Sequence, residues 1–277
     1  MSILPSIEPS AIAAFQQMVW SYYRAHKRAM PWRNEPTPYF VLVSELMLQQ
    51  TQVVRVHQKF ATFIHAFPTI KALAEAPLSD VLKVWIGLGY NRRAKFLWDS
   101  ARMIVADFGG EVPGSQSELT RLPGIGTNTA GAILAYAFNE PAVFIETNIR
   151  TAFIHHFFND NADAVDDDAL RQLVAQALPI ENPREWYWAL MDYGTHLKST
   201  VGAQLHRVSG YKTQSRFEGS NRQIRGQVLK ALMDHKHVSS TELAALIPDT
   251  RLAEVCQALS QEGLISSRRG QWHLTDT

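Results

Sequence analysis

The sequence predicts an all-α protein through its first 200 residues, with a small mixed unit behind them. Three observations carry this. Apolar residues recur at helical spacing in stretch after stretch, Gly and Pro punctuate the stretches, and no strand-rich region occurs before residue 260. Neither an internal repeat nor a low-complexity tract is present.

From Ser10 to about His26, the residues Ile12, Phe15, Met18, Val19 and Tyr22 fall on one helical face. Met30-Pro31-Trp32-Arg33 through Pro38 is read as a break, because three prolines crowd it. Tyr39 to Phe60 is periodic again. Pro68 and Pro77 mark off two shorter helices, and Ser79-Asp80 is the expected start of the second. Gly87-Leu88-Gly89-Tyr90 precedes a helix from Asn91 to Phe108, and Gly109-Gly110 and Pro113-Gly114 read as loops. Leu122-Pro123-Gly124-Ile125-Gly126 separates two further helices. The second of these carries the small-residue run Thr129-Ala130-Gly131-Ala132.

From Lys198 to Arg225 the character changes to Ser, Gly, Gln and base. Lys198, Arg207, Lys212, Arg216, Arg222 and Arg225 face one acid, Glu218. Helices are expected over 222–235, 240–247 and 250–262, then a two-stranded ribbon of Leu264-Ile265 and Trp272-His273-Leu274 around Arg268-Arg269-Gly270. That is the pattern of a winged helix-turn-helix, a module that binds DNA in some proteins and other proteins elsewhere. The expected organisation is a helical domain over 1–197, a basic linker over 198–219 and the winged unit over 220–277.

Composition narrows the function. With 277 residues, 46% hydrophobic and 19% charged, the chain is ordinary globular usage rather than disorder. A net charge of +1 gives no global signal for nucleic acid, so any such surface must be local. Cys256 stands alone, which excludes a disulfide framework, a cysteine zinc site and a cysteine-ligated iron–sulfur cluster. There is no run of 18 apolar residues and no signal-peptide layout in the first 30, so a soluble, cytoplasmic protein is expected.

Three stretches could carry chemistry. In Leu122 to Gly131, two glycines allow positive φ, and amides opening the next helix suit a phosphate oxygen. A helix–hairpin–helix grips a DNA backbone in this way, reading no sequence; a plain turn between two helices is the bland alternative. In Ser44-Glu45-Leu46-Met47-Leu48-Gln49-Gln50-Thr51, Glu45 shares a helical face with Val41, Leu42 and Leu48. It is either a mis-phased surface residue or a desolvated carboxyl that keeps its proton near neutral pH, as a general acid must. In Ala142 to Arg150, an apolar run ends at Glu146, where Thr147 or Asn148 could cap a new helix. The helix dipole would hold Glu146 ionised. One protonated and one ionised carboxyl is what cleavage through an oxocarbenium-like state needs; a capping acid with no catalytic part is the alternative.

As a set, Met30-Pro31-Trp32-Arg33, Ser44 to Val53, Gly87-Leu88-Gly89-Tyr90 and Leu122-Pro123-Gly124-Ile125-Gly126 resemble, in order and spacing, the MutY-type adenine DNA glycosylases. These belong to the helix–hairpin–helix superfamily that includes endonuclease III. The resemblance covers about residues 8–196. It implies a two-lobed all-α glycosylase fold followed by the winged unit, bent double-stranded DNA, and a base flipped into a pocket. It further implies that Glu45 protonates the leaving purine, that Gln49 and Gln50 wedge into the stack beside the vacated base with Thr51 also at the DNA, that Tyr90 is an active-site tyrosine, and that Asn148 orients the catalytic groups. Trp32, Arg33, Asn128 and Trp188 are expected at the base pocket, and Gly124, Gly126 and Thr127 at the DNA backbone. A monovalent cation, Na+ or K+, is implied at main-chain carbonyls of Thr120, Leu122 and Ile125. Asn128 stands where bifunctional relatives carry a lysine nucleophile, so a monofunctional enzyme without strong AP-lyase activity is expected. A monomer acting on nucleoid DNA completes the expectation.

Four departures qualify it. The family's catalytic aspartate falls at Glu146, one methylene longer. Trp188 fills the position from which the family contacts adenine with Glu or Gln. The first cluster cysteine falls at Lys198 and no others follow, so the iron–sulfur loop is missing, and Lys198, Arg207, Lys212 and Arg216 are expected to contact phosphates in its stead. The 8-oxoguanine-reading domain is replaced by residues 220–277. Excision of mispaired thymine or uracil therefore stays open, as do a DNA-structure binder without catalysis and a regulator acting through 220–277.

Overall fold

Proline at the first turn fixes φ where an amide would go unbonded anyway, and among the described residues four helices begin that way: α1, Pro9–His26; α2, Pro31–Asn34; α3, Pro38–Leu48; and α12, Pro183–Thr200. The short α2 corrects the reading of 30–38 as a break, because Pro31 starts a helix rather than ending one. The computed structural model describes residues 7–158, 165–202, 216–235 and 237–276. They divide into two units, one taken from 7–41, 114–120 and 125–202, the other from 42–113, 121–124 and 216–276. Among the described residues, no helix is long and apolar enough to cross a membrane.

In the first unit, α8 (Gln116–Leu119), α9 (Thr127–Ile133), α10 (Thr147–Phe157) and α11 (Asp167–Ala177) join α1, α2 and α12. Its core is α10 lying along α12, with α1 across them: Phe15 sits 5.0 Å from Phe153 and 6.0 Å, edge-on, from Trp186. The close approach of α10 to α12 depends on Gly194. A Cβ there would fall 2.2 Å from the main-chain oxygen of Asn148. A π-helical turn, Leu134–Phe138, continues α9 and stops at Asn139, whose backbone is left-handed at φ 58.

The second unit contains most of α3 (Pro38–Leu48), then α4 (Val53–Ala66), α5 (Ile70–Glu75), α6 (Leu78–Trp85) and α7 (Arg92–Asp107). The periodic stretch 39–60 is thus two helices, interrupted at 49–52, and the second runs on to Ala66. Local periodicity missed the interruption because a distant arginine makes it, as described below. α6 starts at Leu78 rather than Ser79-Asp80, with Pro77 before it and no side-chain cap. Phe63, Leu73, Leu78, Val81 and Trp85 fill this core and are fully buried.

The C-terminal segment belongs to the same unit. It contributes α13 (Asn221–His235), α14 (Ser240–Leu246) and α15 (Leu252–Gln261), and a sheet of β1 (Val238–Ser239), β2 (Ile265–Arg268) and β3 (Gln271–Leu274). Three antiparallel strands in the order β1-β3-β2 replace the expected two-stranded ribbon. β1 has two residues, too few to show alternation. Ser239 and Glu242 close a capping box at the start of α14. The expected linker also begins later than 198, since α12 runs to Thr200 before Gly202 takes φ 82.

Candidate active site

Glu45 is 8% exposed, on a helix whose residues from Val41 to Met47 are all buried. The surface reading of this acid therefore fails: α3 has no solvent face at this level, and its one carboxyl lies among Leu42, Val43, Leu46 and Met47.

α3 ends where Arg93 makes it end. The buried guanidinium donates to the carbonyl oxygens of Leu46, Met47 and Gln49, taking up groups that a helix C-terminus leaves unbonded. It also donates to Thr51 Oγ1 and the carbonyls of Leu88 and Gly89. One side chain thereby fastens the 49–51 turn to the 87–90 turn. Gln50 and Tyr90, one in each turn, are both left-handed, at φ 55 and 48. Non-glycine residues in that region persist where surrounding contacts hold them. Gln49 Nε2 donates to Gly124 O at 3.2 Å, which ties the same turn to the 122–124 segment, and Ser100 Oγ of α7 donates to Pro123 O at 3.1 Å.

Within Leu122 to Gly126, only Gly124 has positive φ, at 77; Gly126 is extended at φ −91 and opens α9 before Thr127. The expectation of two positive-φ glycines is corrected. Gly124 is needed twice over, because a Cβ there would meet Phe96 Cδ2 at 2.7 Å. Thr120 follows α8, with its hydroxyl on the carbonyls of Gln116 and Ser117, and Leu122 and Ile125 are buried.

In the first unit the segment before Glu146 is fastened at three points. Tyr187 Oη donates to Ala142 O at 2.8 Å, and Phe144 packs on Tyr187 at 4.2 Å. Phe144 also lies against Gly131, and Ile145 N donates to Asn128 Oδ1, which accepts from Arg171 as well. Glu146 is then the N-cap of α10, with no side-chain capping bond, so neither Thr147 nor Asn148 is the cap. Burial pushes its carboxyl above the usual range. The shift runs against the expectation that the helix terminus lowers it: desolvation is its cause, and a helix terminus is worth only about 0.3–1 kcal/mol to a carboxylate. Asn148 Nδ2 is 3.8 Å from Met191 Sδ, and its Oδ1 is buried with no hydrogen-bond partner among the described residues.

A raised carboxyl pKa has a signed consequence for stability. The unfolded chain ionises first, so the burden on the folded state is absent below about pH 4 and grows as pH rises. Glu146→Gln is expected to melt above wild type at pH 8, with the gap closing toward pH 4. Equal melting temperatures at both pH values would overturn the assignment.

Arg33 gives its fork to Asp192, at 2.9 and 3.0 Å, and Arg28 Nε reaches the same carboxylate at 2.6 Å. Trp188 is 7% exposed, 5.6 Å from the Arg33 guanidinium and stacked on Tyr136 at 6.3 Å. The structure thus makes Arg33 a support for Trp188 and makes Trp188 a packed wall; Trp32 is buried as well. Asp192→Ala, leaving Arg33 buried without its counter-charge, is expected to cost about 3–5 kcal/mol in urea unfolding. A cost under about 1 kcal/mol would show that the network is not what holds this wall.

Lys198 lies in the last turn of α12 and Arg216 is exposed; Arg207 and Lys212 lie outside the described residues. Among the described residues, no three His, Cys, Asp or Glu side chains gather to hold a metal. Sequence reasoning missed Arg93, Asp192 and Gly194, and read Arg222 only as part of a basic run. All four act through partners 40 or more residues away, which periodicity does not register.

A buried acid on a core helix, a Pro-Gly turn into a small-residue helix and a second acid at a helix start define a base excision repair protein of the helix–hairpin–helix class. The HhH-GPD superfamily base excision DNA repair protein model matches residues 43–176. The adenine DNA glycosylase of Mycolicibacterium smegmatis is 32% identical over 231 residues, covering 77% of this chain and 78% of that protein. That of Mycobacterium tuberculosis is 32% identical over 250 residues, covering 82% and 81%. The chain belongs to the MutY-type adenine DNA glycosylase family. It spans 53% of the length of the Buchnera aphidicola adenine DNA glycosylase from strain Bp, which is 33% identical over 185 residues. A thermostable thymine-DNA glycosylase shares the fold at TM-score 0.64 and 23% identity, over 72% of this chain and 93% of that one. Endonuclease III in a non-covalent DNA complex does so at TM-score 0.60 and 17% identity, over 72% and 92%.

Proposed function

We propose that this chain is a monofunctional DNA glycosylase that flips mispaired adenine out of double-stranded DNA and hydrolyses its N-glycosidic bond, leaving an abasic site. The burial of Glu45 on α3 carries the reading, because a binding protein has no need of a carboxyl side chain on a core helix. Glu45 would protonate the departing purine. The Glu146 carboxyl would face the positive charge that develops on the sugar, and that charge favours its carboxylate form. Asn148 Oδ1, a buried acceptor without a partner among the described residues, would hold the attacking water. Asn128 supplies an amide where an amine would be needed for a Schiff base, which supports hydrolysis without strand cleavage.

Adenine is favoured by the names of the relatives. Gly124, Gly126 and Thr127, with Gln49, Gln50 and Thr51, would meet the DNA backbone and stack, and Lys198 and Arg216 would add phosphate contacts. The donors at Thr120, Leu122 and Ile125 are main-chain carbonyls, which suit Na+ or K+ rather than a transition metal. A monomer working on cytoplasmic nucleoid DNA is part of the same reading.

The test is a panel of labelled duplexes carrying A:8-oxoguanine, A:G, A:C, T:G, U:G or hypoxanthine pairs, treated with and without hot alkali. Alkali-dependent breaks at adenine are the expected product. Breaks at thymine or uracil would replace the substrate, breaks without alkali would overturn the role of Asn128, and binding without product would make the chain a DNA-structure binder.

A further inference from the structure

A cavity of about 310 Å³ opens in the second unit between the 49–50 turn, the start of α7 and the first helix of the C-terminal segment. Arg92, Arg93, Arg222 and Arg225 line it, and no carboxylate does. Their charges are handled differently. Arg93 is turned onto main-chain carbonyls. Arg225 pairs with both carboxylate oxygens of Glu262. Arg92 lies over the Phe96 ring at 4.9 Å. Arg222 lies over the Tyr90 ring at 5.3 Å and donates from Nη1 to Tyr90 Oη at 2.7 Å. An aromatic face orients a guanidinium without cancelling its charge. Four guanidiniums and no acidic side chain line the cavity, which makes its wall basic.

Two further features suit an anion there. The 16-residue α7 points its N-terminus at this place, and its N-cap Asn91 makes no side-chain capping bond. Gln50 and Asn91, which also line it, carry neutral amides that can donate to an anion. We propose that this cavity binds a phosphodiester group of DNA, with Arg92 from the core and Arg222 from the C-terminal segment supplying the charge. The proposal rests on the reading of the chain as a DNA-acting enzyme and gives residues 216–276 a share of the DNA-binding surface. Arginine suits the task because its planar fork matches two phosphate oxygens.

The test uses the full chain and a duplex carrying a tetrahydrofuran abasic analogue, so that binding is read without excision. Affinity is measured by fluorescence anisotropy from about 50 to 200 mM salt. Arg222→Gln and Arg92→Gln are each expected to weaken binding and to lower the slope of log K on log salt by about 0.9. Arg222→Lys is expected to restore the slope, which separates charge from any loss of the Tyr90 hydrogen bond. Wild-type slopes in both glutamine variants would overturn the proposal. So would weakened binding at an unchanged slope that lysine does not rescue, because Arg222 would then only position Tyr90. Inorganic phosphate at constant ionic strength is the second probe. Competition seen with wild type and lost in Arg222→Gln supports a phosphate site, whereas phosphate binding with duplex slopes untouched makes it a site for free phosphate and overturns the DNA assignment. Wild-type protein that binds the duplex but excises nothing overturns the proposed enzyme and leaves this site standing.

Discussion

Glu45→Gln is expected to slow single-turnover excision by about 10²–10⁴-fold, the range a positioned general acid contributes. Glutamine keeps the shape of a protonated carboxyl and its polar atoms, so packing on α3 is preserved and the melting temperature should hold or rise. The effect belongs on the chemical step, with duplex affinity within a few-fold of wild type. Aspartate at the same position tests reach instead of charge, since retraction of the carboxyl by one bond misplaces the proton it must deliver. Excision by Glu45→Gln at more than about a tenth of the wild-type rate would remove Glu45 from the acid role.

Gly194→Ala is the second large effect, and it comes from a single methyl group. The new Cβ would lie 2.2, 2.6 and 2.9 Å from the O, C and Cα of Asn148. These are main-chain atoms in the first turn of α10, so no rotamer change relieves the clash and the helices must separate. Overpacking of this kind costs about 1–3 kcal/mol, and backbone contacts this short belong at or beyond the upper end. The displacement acts on the residues that follow Glu146, so excision should fall by about 10²-fold for a shift near 1 Å. Wild-type melting and wild-type rate in Gly194→Ala would mean that α10 can move away from α12 without consequence for the site.

Much of the site was legible before any coordinates. Glu45 stood out as an acid among apolar residues, Glu146 as an acid ending an apolar run, and Gly124 as a turn glycine; each is a local departure from a local pattern. The surroundings of Glu146 were not legible. Glu146 has the sequence context of a helix-capping, ionised acid, yet it makes no capping bond and burial raises its pKa. Its environment is set by the fastening of 142–146 to Tyr187, Gly131 and Asn128, none of which lies beside it in sequence. Trp188 shows the same limit. Its position suggested a face for a base, whereas Arg33 and Tyr136 already pack on it.

By itself the sequence determined the helical class, the order of most helices, the glycine turn before α9 and the family, because these depend on spacing and on short motifs with few physical alternatives. Only the tertiary structure decided where α3 stops, that α12 runs past residue 198, that a third strand joins the ribbon, and that Arg222 of the C-terminal segment reaches Tyr90. The reason is common to all four. A helix end, a strand of two residues and an arginine's partner are chosen by which hydrogen-bonding groups would otherwise be buried unpaired, and those groups are supplied by residues far away in the chain.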